Sequence, residues 1–320
     1  ASIYGTIMLM SEKERARVKG VIINKFRGDI NILKSGLEEI EKLTGVPVIG
    51  VMPYTNVDIE DEDSVTERFK RLQKKKGINI SVIKLKHISN FTDIDALRMV
   101  EDINIKYINS VDEMGEEDII IIPGTKNTID DLKELKDNGI ATEIIKASKN
   151  GKVIIGICGG FQMLGEKIKD PYGIESEIKE IPGLGLLELE TVMEKEKNTT
   201  QYEGKLSNCT GLLEGLEGEE IKGYEIHQGV TFGNESKVND EDRIVTVVKG
   251  ENIFATYLHG IFENEKITRN ILNKVRAKKG IELQVKGITF DEYREQQLDK
   301  LEKIFRENVD IDKIYEILGE

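Results

Sequence analysis

The apolar run Val153-Ile154-Ile155-Gly156-Ile157 stops at Cys158, which is followed by Gly159-Gly160 and then by a helix-like stretch from Phe161 to Ile168. An uninterrupted apolar run of this kind predicts a strand buried on both faces, as in a parallel sheet covered by helices. A chain passing from such a strand into a helix without a loop must turn sharply, and glycines remove the Cβ atoms that would block the turn or an incoming carbonyl. The cysteine then sits at a helix N-terminus, where the dipole and unpaired N–H groups favour the thiolate over the thiol. The same residues also read as a small buried cysteine that only ends a core strand.

Cysteine chemistry that needs an imidazole has few partners here, because the chain holds three histidines. His259 ends the strand-like run Ile253-Phe254-Ala255-Thr256-Tyr257-Leu258 and is followed by Gly260. A base at the carboxyl end of one parallel strand can meet a nucleophile at the end of its neighbour. His227, in Gly223-Tyr224-Glu225-Ile226-His227-Gln228-Gly229, is the second candidate, and His87 reads equally well as a half-buried structural histidine. A third element, Asp118 to Thr128, is a buried-strand run broken by Pro123-Gly124 before Ile129-Asp130-Asp131-Leu132 opens a helix. Backbone N–H groups of Gly124 or Thr125, with that of Gly159, could face the oxygen of a carbonyl attacked by Cys158. A routine strand-to-helix connection is the alternative for that loop.

The remaining pattern is α/β. Residues 1–63 give strand Val18–Asn24, helix Ile32–Leu43 and strand Val46–Met52, the spacing of a right-handed crossover between parallel strands. Residues 64–77 belong to an almost wholly charged stretch, expected to be a solvated linker. Across 78–275 apolar runs alternate with amphipathic helices: Ile80–Leu85, Ile105–Ile108, Ile119–Ile122, Val153–Ile157, Leu184–Glu190, Ile244–Val248 and Ile253–Leu258. Residues 276–320 form a helical tail, with Tyr293, Leu298, Leu301, Ile304, Phe305, Val309, Ile314 and Ile317 at helical spacing, expected to pack on the preceding domain. With 46 basic against 59 acidic residues the net charge is −13, which argues against nucleic acid. The two cysteines form no zinc or C-x-x-C pattern, no metal site is read, and Cys209 is taken as a loop cysteine without a role. The chain shows no membrane-length apolar run and no signal peptide, so a cytoplasmic setting is expected.

A hole-forming loop, then Gly156-Ile157-Cys158-Gly159-Gly160-Phe161-Gln162, then a late histidine resembles the class I, or triad, glutamine amidotransferases. Gln162 matches the family glutamine that helps hold the substrate amino acid. More narrowly, Gly20–Asp29, Ile88–Asp95, Pro123–Thr128, Gly156–Gly165, Gly223–Gly229 and Tyr257–Phe262 are similar in register to the cobyric acid synthase family. Ile88–Asp95 and Pro123–Thr128 favour it over the cobyrinic acid diamide synthase relatives. The resemblance implies a partial P-loop, dethiobiotin-synthetase-like α/β unit. A flavodoxin-like amidotransferase domain with a parallel or mixed sheet follows, and then the helical tail. It also implies an amide-forming ligase of cobalamin biosynthesis. Ammonia from L-glutamine would amidate carboxylates of a corrinoid, adenosylcobyrinic acid a,c-diamide, using ATP and Mg2+.

Two departures stand out. Many family members carry a glutamate two positions after the histidine, where Ile261 stands here, so the group orienting His259 is Glu263 or a backbone carbonyl. The chain also has no G-x-x-x-x-G-K-[ST] loop. It therefore reads as a fragment without most of the N-terminal ATP-binding part, binding no cofactor tightly and acting as a glutaminase at most. Asn24 and Pro53 resemble positions flanking adenine in related folds, though Asn24 reads equally as a strand-end cap. Tyr224, Glu225 and His227 resemble a motif near the interface of the two sites, with a corrinoid or interdomain role. The rival readings are a cysteine hydrolase of the same fold and a catalytically silent scaffolding domain.

Overall fold

In the computed structural model, which describes residues 1–55, 57, 77–239 and 243–319, the chain divides into two units. One comprises Ala1–Ile59 with Asp291–Glu320, the other Glu60–Phe290. The charged linker expected over 64–77 lies, up to residue 76, outside the described residues.

The first unit holds helices α1 (Ser2–Leu9) and α2 (Glu12–Arg15), strand β1 (Val21–Phe26), helix α3 (Ile30–Thr44) and strand β2 (Val48–Pro53). β1 and β2 pair in parallel across α3, the crossover that the apolar spacing predicts. Asp29 caps α3 by accepting from Asn31 N–H, and Gly45 ends it in the left-handed conformation.

The second unit is built on β3 (Ile78–Ile83), β4 (Ile103–Ile108), β5 (Ile119–Ile122), β6 (Val153–Ile157), β11 (Thr246–Lys249) and β12 (Ile253–Thr256), in the order β11-β12-β6-β5-β3-β4. All neighbours are parallel except β11, which returns antiparallel on β12. Helix α4 (Asp95–Arg98) and α8 (Glu265–Lys279) cover one face; α5 (Thr128–Asp137), α6 (Ile140–Lys149) and α7 (Gly159–Leu164) cover the other. Alternation along each strand sends Ile119, Ile121, Val153 and Ile155 to the first core and Ile120, Ile122 and Ile154 to the second. The strands are apolar throughout because both faces are buried.

A second sheet, ordered β10-β9-β7-β8, joins β7 (Lys167–Lys169) and β8 (Glu180–Pro182) to a long antiparallel ribbon of β9 (Leu189–Lys205) and β10 (Glu220–Gly233). The strand expected over Leu184–Glu190 is corrected. Leu184, Gly185, Leu186 and Leu187 donate their N–H groups to Met163, Gly165 and Leu164 carbonyls at the end of α7, so only the last residues of the run enter a ladder.

The C-terminal residues form α9 (Phe290–Asn308) and α10 (Ile311–Leu318), the latter capped by Asp310. The boundary expected at residue 276 is corrected, because α8 runs through it. The expected packing of the tail on the preceding domain is corrected as well. Asp310 N–H donates to Ile49 O at 2.8 Å and Val309 bridges Gly50, so these helices belong with the first unit. A Cβ at Gly50 would lie 2.7 Å from Val309 Cγ2.

Candidate active site

Cys158 stands between β6 and α7 with φ 51 and ψ −108, a strained backbone conformation for a residue with a Cβ. The strain persists because both sides of the turn are fixed. Cys158 N–H donates to Thr256 O on β12, and Gln162 N–H donates to Cys158 O. Gly160 makes the turn sterically feasible, since a Cβ there would fall 1.9 Å from Ile122 O. Replacing Gly160 with alanine is expected to cost about 3 kcal/mol, because backbone from β5 must move. A urea midpoint equal to that of the wild type would show that the approach is not tight.

β12 lies beside β6, so His259, just past its end, reaches the same rim. His259 is 1 % exposed, and its side chain interacts electrostatically with that of Cys158. Its Nδ1 lies 2.7 Å from Asp93 Oδ2, and Asp93 Oδ1 accepts the Gly260 N–H at 3.0 Å. Burial works against a charged ring, yet the hydrogen bond to Asp93, the interaction with Cys158 and the Asp93 charge outweigh it. They hold the His259 pKa up at about 10. Asp93 itself is 4 % exposed, in a single 3-10 turn, Phe91–Ile94.

The orienting group is therefore a carboxylate from the second unit's first crossover, and neither Glu263 nor a backbone carbonyl. Glu263 is exposed and its carboxylate lies back against Gly260. Sequence reasoning passed over Asp93 because no spacing connects residue 93 to residue 259. The available signal was an acid inside Ile88–Asp95, a stretch that had been given no chemistry.

The same stretch holds the loop after β5. Ser89 N–H donates to Gly124 O, Lys126 N–H donates to His87 O, and Ile88 bridges Thr125. A methyl group at Gly124 would fall 3.1 Å from His259 Cε1 and 3.6 Å from Cys158 Cβ, so the loop backbone lies directly against both side chains. A methyl on Gly159 would meet Thr125 Cγ2 at 2.7 Å and Thr125 N at 3.3 Å. Gly159, first residue of α7, has no carbonyl four residues back to serve. The Gly124, Thr125 and Gly159 backbones thus converge beside the sulfur. Thr125 Oγ1 bonds the buried Asp131, which also takes His87 Nδ1 at 2.8 Å, so His87 is structural.

Gln162 is buried, accepting from Thr128 Oγ1 at 3.1 Å and donating to Tyr257 Oη at 3.3 Å. On β10, backbone groups of Tyr224 pair with His259 in both directions, and its ring stacks on the imidazole at 5.2 Å. Two residues on, the Ile226 carbonyl accepts from Cys158 Sγ at 3.5 Å. His227 is stacked on Tyr257 at 3.8 Å, with Nδ1 2.7 Å from Gly229 O and Nε2 3.0 Å from Glu225 Oε2. Burial works to raise the Glu225 pKa, but His227 and Arg243 hold it below the usual carboxylate value. His227 is thus committed elsewhere and is not the base. Glu225 is fully buried and His227 is half-buried.

Cys209 donates its N–H to Glu217, and burial with that carboxylate pushes its thiol up to about 11. In the first unit, Pro53 is the last residue of β2, while Asn24 lies within β1. Asn24 Oδ1 accepts the Lys25 N–H at 2.9 Å. Among the described residues no group of three or more His, Cys, Asp or Glu could hold a metal, and no helix is long and apolar enough to cross a membrane.

An elbow cysteine, a histidine on the neighbouring strand and a loop of backbone donors together define the site of a cysteine-dependent acyl-transfer enzyme. Residues 79–267 match the CobB/CobQ-like glutamine amidotransferase domain, and the chain belongs to that family. Residues 2–67 match the CobQ/CobB/MinD/ParA nucleotide binding domain. The chain is 46 % identical to the cobyric acid synthase of Caldanaerobacter subterraneus subsp. tengcongensis over 99 % of its own length and 65 % of that protein's. It is 47 % identical to the cobyric acid synthase of Alkaliphilus metalliredigens, covering 99 % of this chain and 66 % of the relative. It thus spans a little under two thirds of the length of these curated relatives.

Proposed function

We propose that the second unit hydrolyses L-glutamine and that, in the whole protein, the ammonia amidates carboxylates of a corrinoid, as the name cobyric acid synthase describes for the relatives. The observation that supports this reading most is the chain of contacts Cys158–His259–Asp93 at the end of a parallel strand. Cys158 Sγ attacks the carboxamide carbon as the thiolate, its proton already held by His259. The developing oxyanion is stabilised by N–H groups of Gly124 or Thr125 and Gly159. His259 passes the proton to the departing nitrogen and ammonia leaves a glutamyl thioester. Water, giving a proton back to His259, then releases glutamate and the thiol. Gln162, held by Thr128 and Tyr257, lines the elbow for the substrate amino acid.

ATP with magnesium supplies the activation of the accepting carboxylate. Asn24 and Pro53 would flank the base of a nucleotide, and the sequence contains no phosphate-cradling loop of the P-loop pattern. Family membership disfavours a general cysteine hydrolase and a silent scaffold. Incubating this chain with glutamine should yield glutamate and ammonia in equal amounts without ATP, with no amide formed on a corrinoid. Glutamine left intact by a chain with native circular dichroism would refute the hydrolysis, and amidation by the chain alone would refute the division of labour.

A further inference from the structure

The loop that follows β7 ties itself to the start of α5, beside the Gly124–Thr125 backbone. Glu175 Oε2 accepts the Thr128 N–H at 2.6 Å, Asn127 Nδ2 donates to Glu175 O at 3.1 Å, and Ser176 Oγ donates to Asp130 Oδ1 at 2.8 Å. The loop is itself rigid, because the Asp170 carboxylate gathers the N–H groups of Ile174, Glu175 and Ser176. Thr128, the residue so held, donates to Gln162 Oε1, and its Oγ1 lies 3.1 Å from where a Gly159 Cβ would be. Glu175 is thus two hydrogen bonds from the elbow glutamine and three residues of backbone from Thr125.

We propose that Glu175 is a positioning residue for glutamine hydrolysis: through Thr128 its carboxylate sets the Gly124–Thr128 loop and Gln162 around Cys158. The proposal rests on the reading of Cys158 as the glutaminase nucleophile. A carboxylate does this better than a neutral acceptor because charge-assisted hydrogen bonds are shorter and stronger, and because the positive end of the α5 dipole faces it. Burial raises the Glu175 pKa to about 7, against the Thr128 hydrogen bonds and with help from the Asp170 charge. The charge acting on it is that of Asp170 on its own loop; Asp130 on α5 bonds the adjacent Ser176, and Lys179 lies against Gly173. The latch is therefore charged above neutrality and lost below it.

A merely structural carboxylate would behave differently. The folded pKa lies above the ordinary 4.5, so ionisation costs the fold stability as pH rises from 4.5 through about 7. Glu175→Gln removes that cost and should melt no lower than the wild type at pH 8. Its kcat for glutamine should nonetheless fall roughly five- to tenfold at pH 8, with KM within about twofold. The wild-type kcat should decline as pH drops through about 7, and this limb should be absent in Glu175→Gln. Hydrogen exchange reads the latch without turnover: protection of the amides of residues 124–132 should fall below pH 7 in the wild type and stay constant in the variant. An identical acid limb in both proteins, an effect on KM alone, or protection independent of pH in the wild type would overturn the proposal. A wild type inactive on glutamine would instead remove the reading of Cys158, while exchange would still decide whether Glu175 holds the loop.

Discussion

Replacing Cys158 with serine is expected to lower glutamine hydrolysis by about 10⁴-fold or more, with the urea midpoint almost unchanged. The two side chains differ by one atom, and serine inherits the same strained φ of 51, so the elbow keeps its shape. Serine at its free pKa is a far weaker nucleophile than cysteine. A site spaced for sulfur also leaves the shorter Ser Oγ out of register with His259 and the loop backbone. Steady-state ammonia release checks the prediction. Turnover within tenfold of the wild type would show that the sulfur is not the attacking atom.

Replacing Asp93 with asparagine is expected to cost about 10³-fold in kcat, for a reason seated in hydrogen-bond direction. Asp93 accepts twice, from His259 Nδ1–H and from Gly260 N–H. Asparagine has one accepting oxygen, so its amide nitrogen must face one of those donors. If it faces Nδ1, the imidazole turns to the tautomer with its proton toward Cys158 and cannot take up the thiol proton.

A second readout is the pH dependence of stability. The folded His259 pKa, about 10, is raised above its ordinary 6.5. Its contribution is therefore full below pH 6.5 and lost as pH rises through about 10. Removing the Asp93 charge should flatten the wild-type loss of stability between pH 6.5 and 10 as followed by urea unfolding. Equal slopes in the two proteins would mean that Asp93 does not bear on the imidazole.

The parallel core was legible because burial on both faces leaves continuous apolar runs such as Ile119–Ile122 and Val153–Ile157, bounded by glycine or proline. Cys158 and His259 were legible for the same reason, each standing where such a run stops. The β9–β10 ribbon was not. Its outer half, through Glu194 to Lys205, is charged and largely exposed, so it lacks the period-2 apolar pattern that marks a half-buried strand. The C-terminal helices carried an apolar stripe, but a stripe does not name its partner. The contact of Asp310 with Ile49 joins residues more than two hundred positions apart. Asp93 was hidden by the same property, since its role exists only once β12, β6, β5 and β3 are side by side in the sheet.

The most direct measurement is peptide mapping of the chain after treatment with a glutamine-analogue chloroketone at neutral pH, with and without excess glutamine. Cys209, its thiol pushed up to about 11, serves as the internal control. A single adduct on Cys158 that glutamine suppresses is the expected result. Labelling of Cys209 instead, or labelling of Cys158 at a rate indifferent to glutamine, would contradict a glutamine site built around that sulfur.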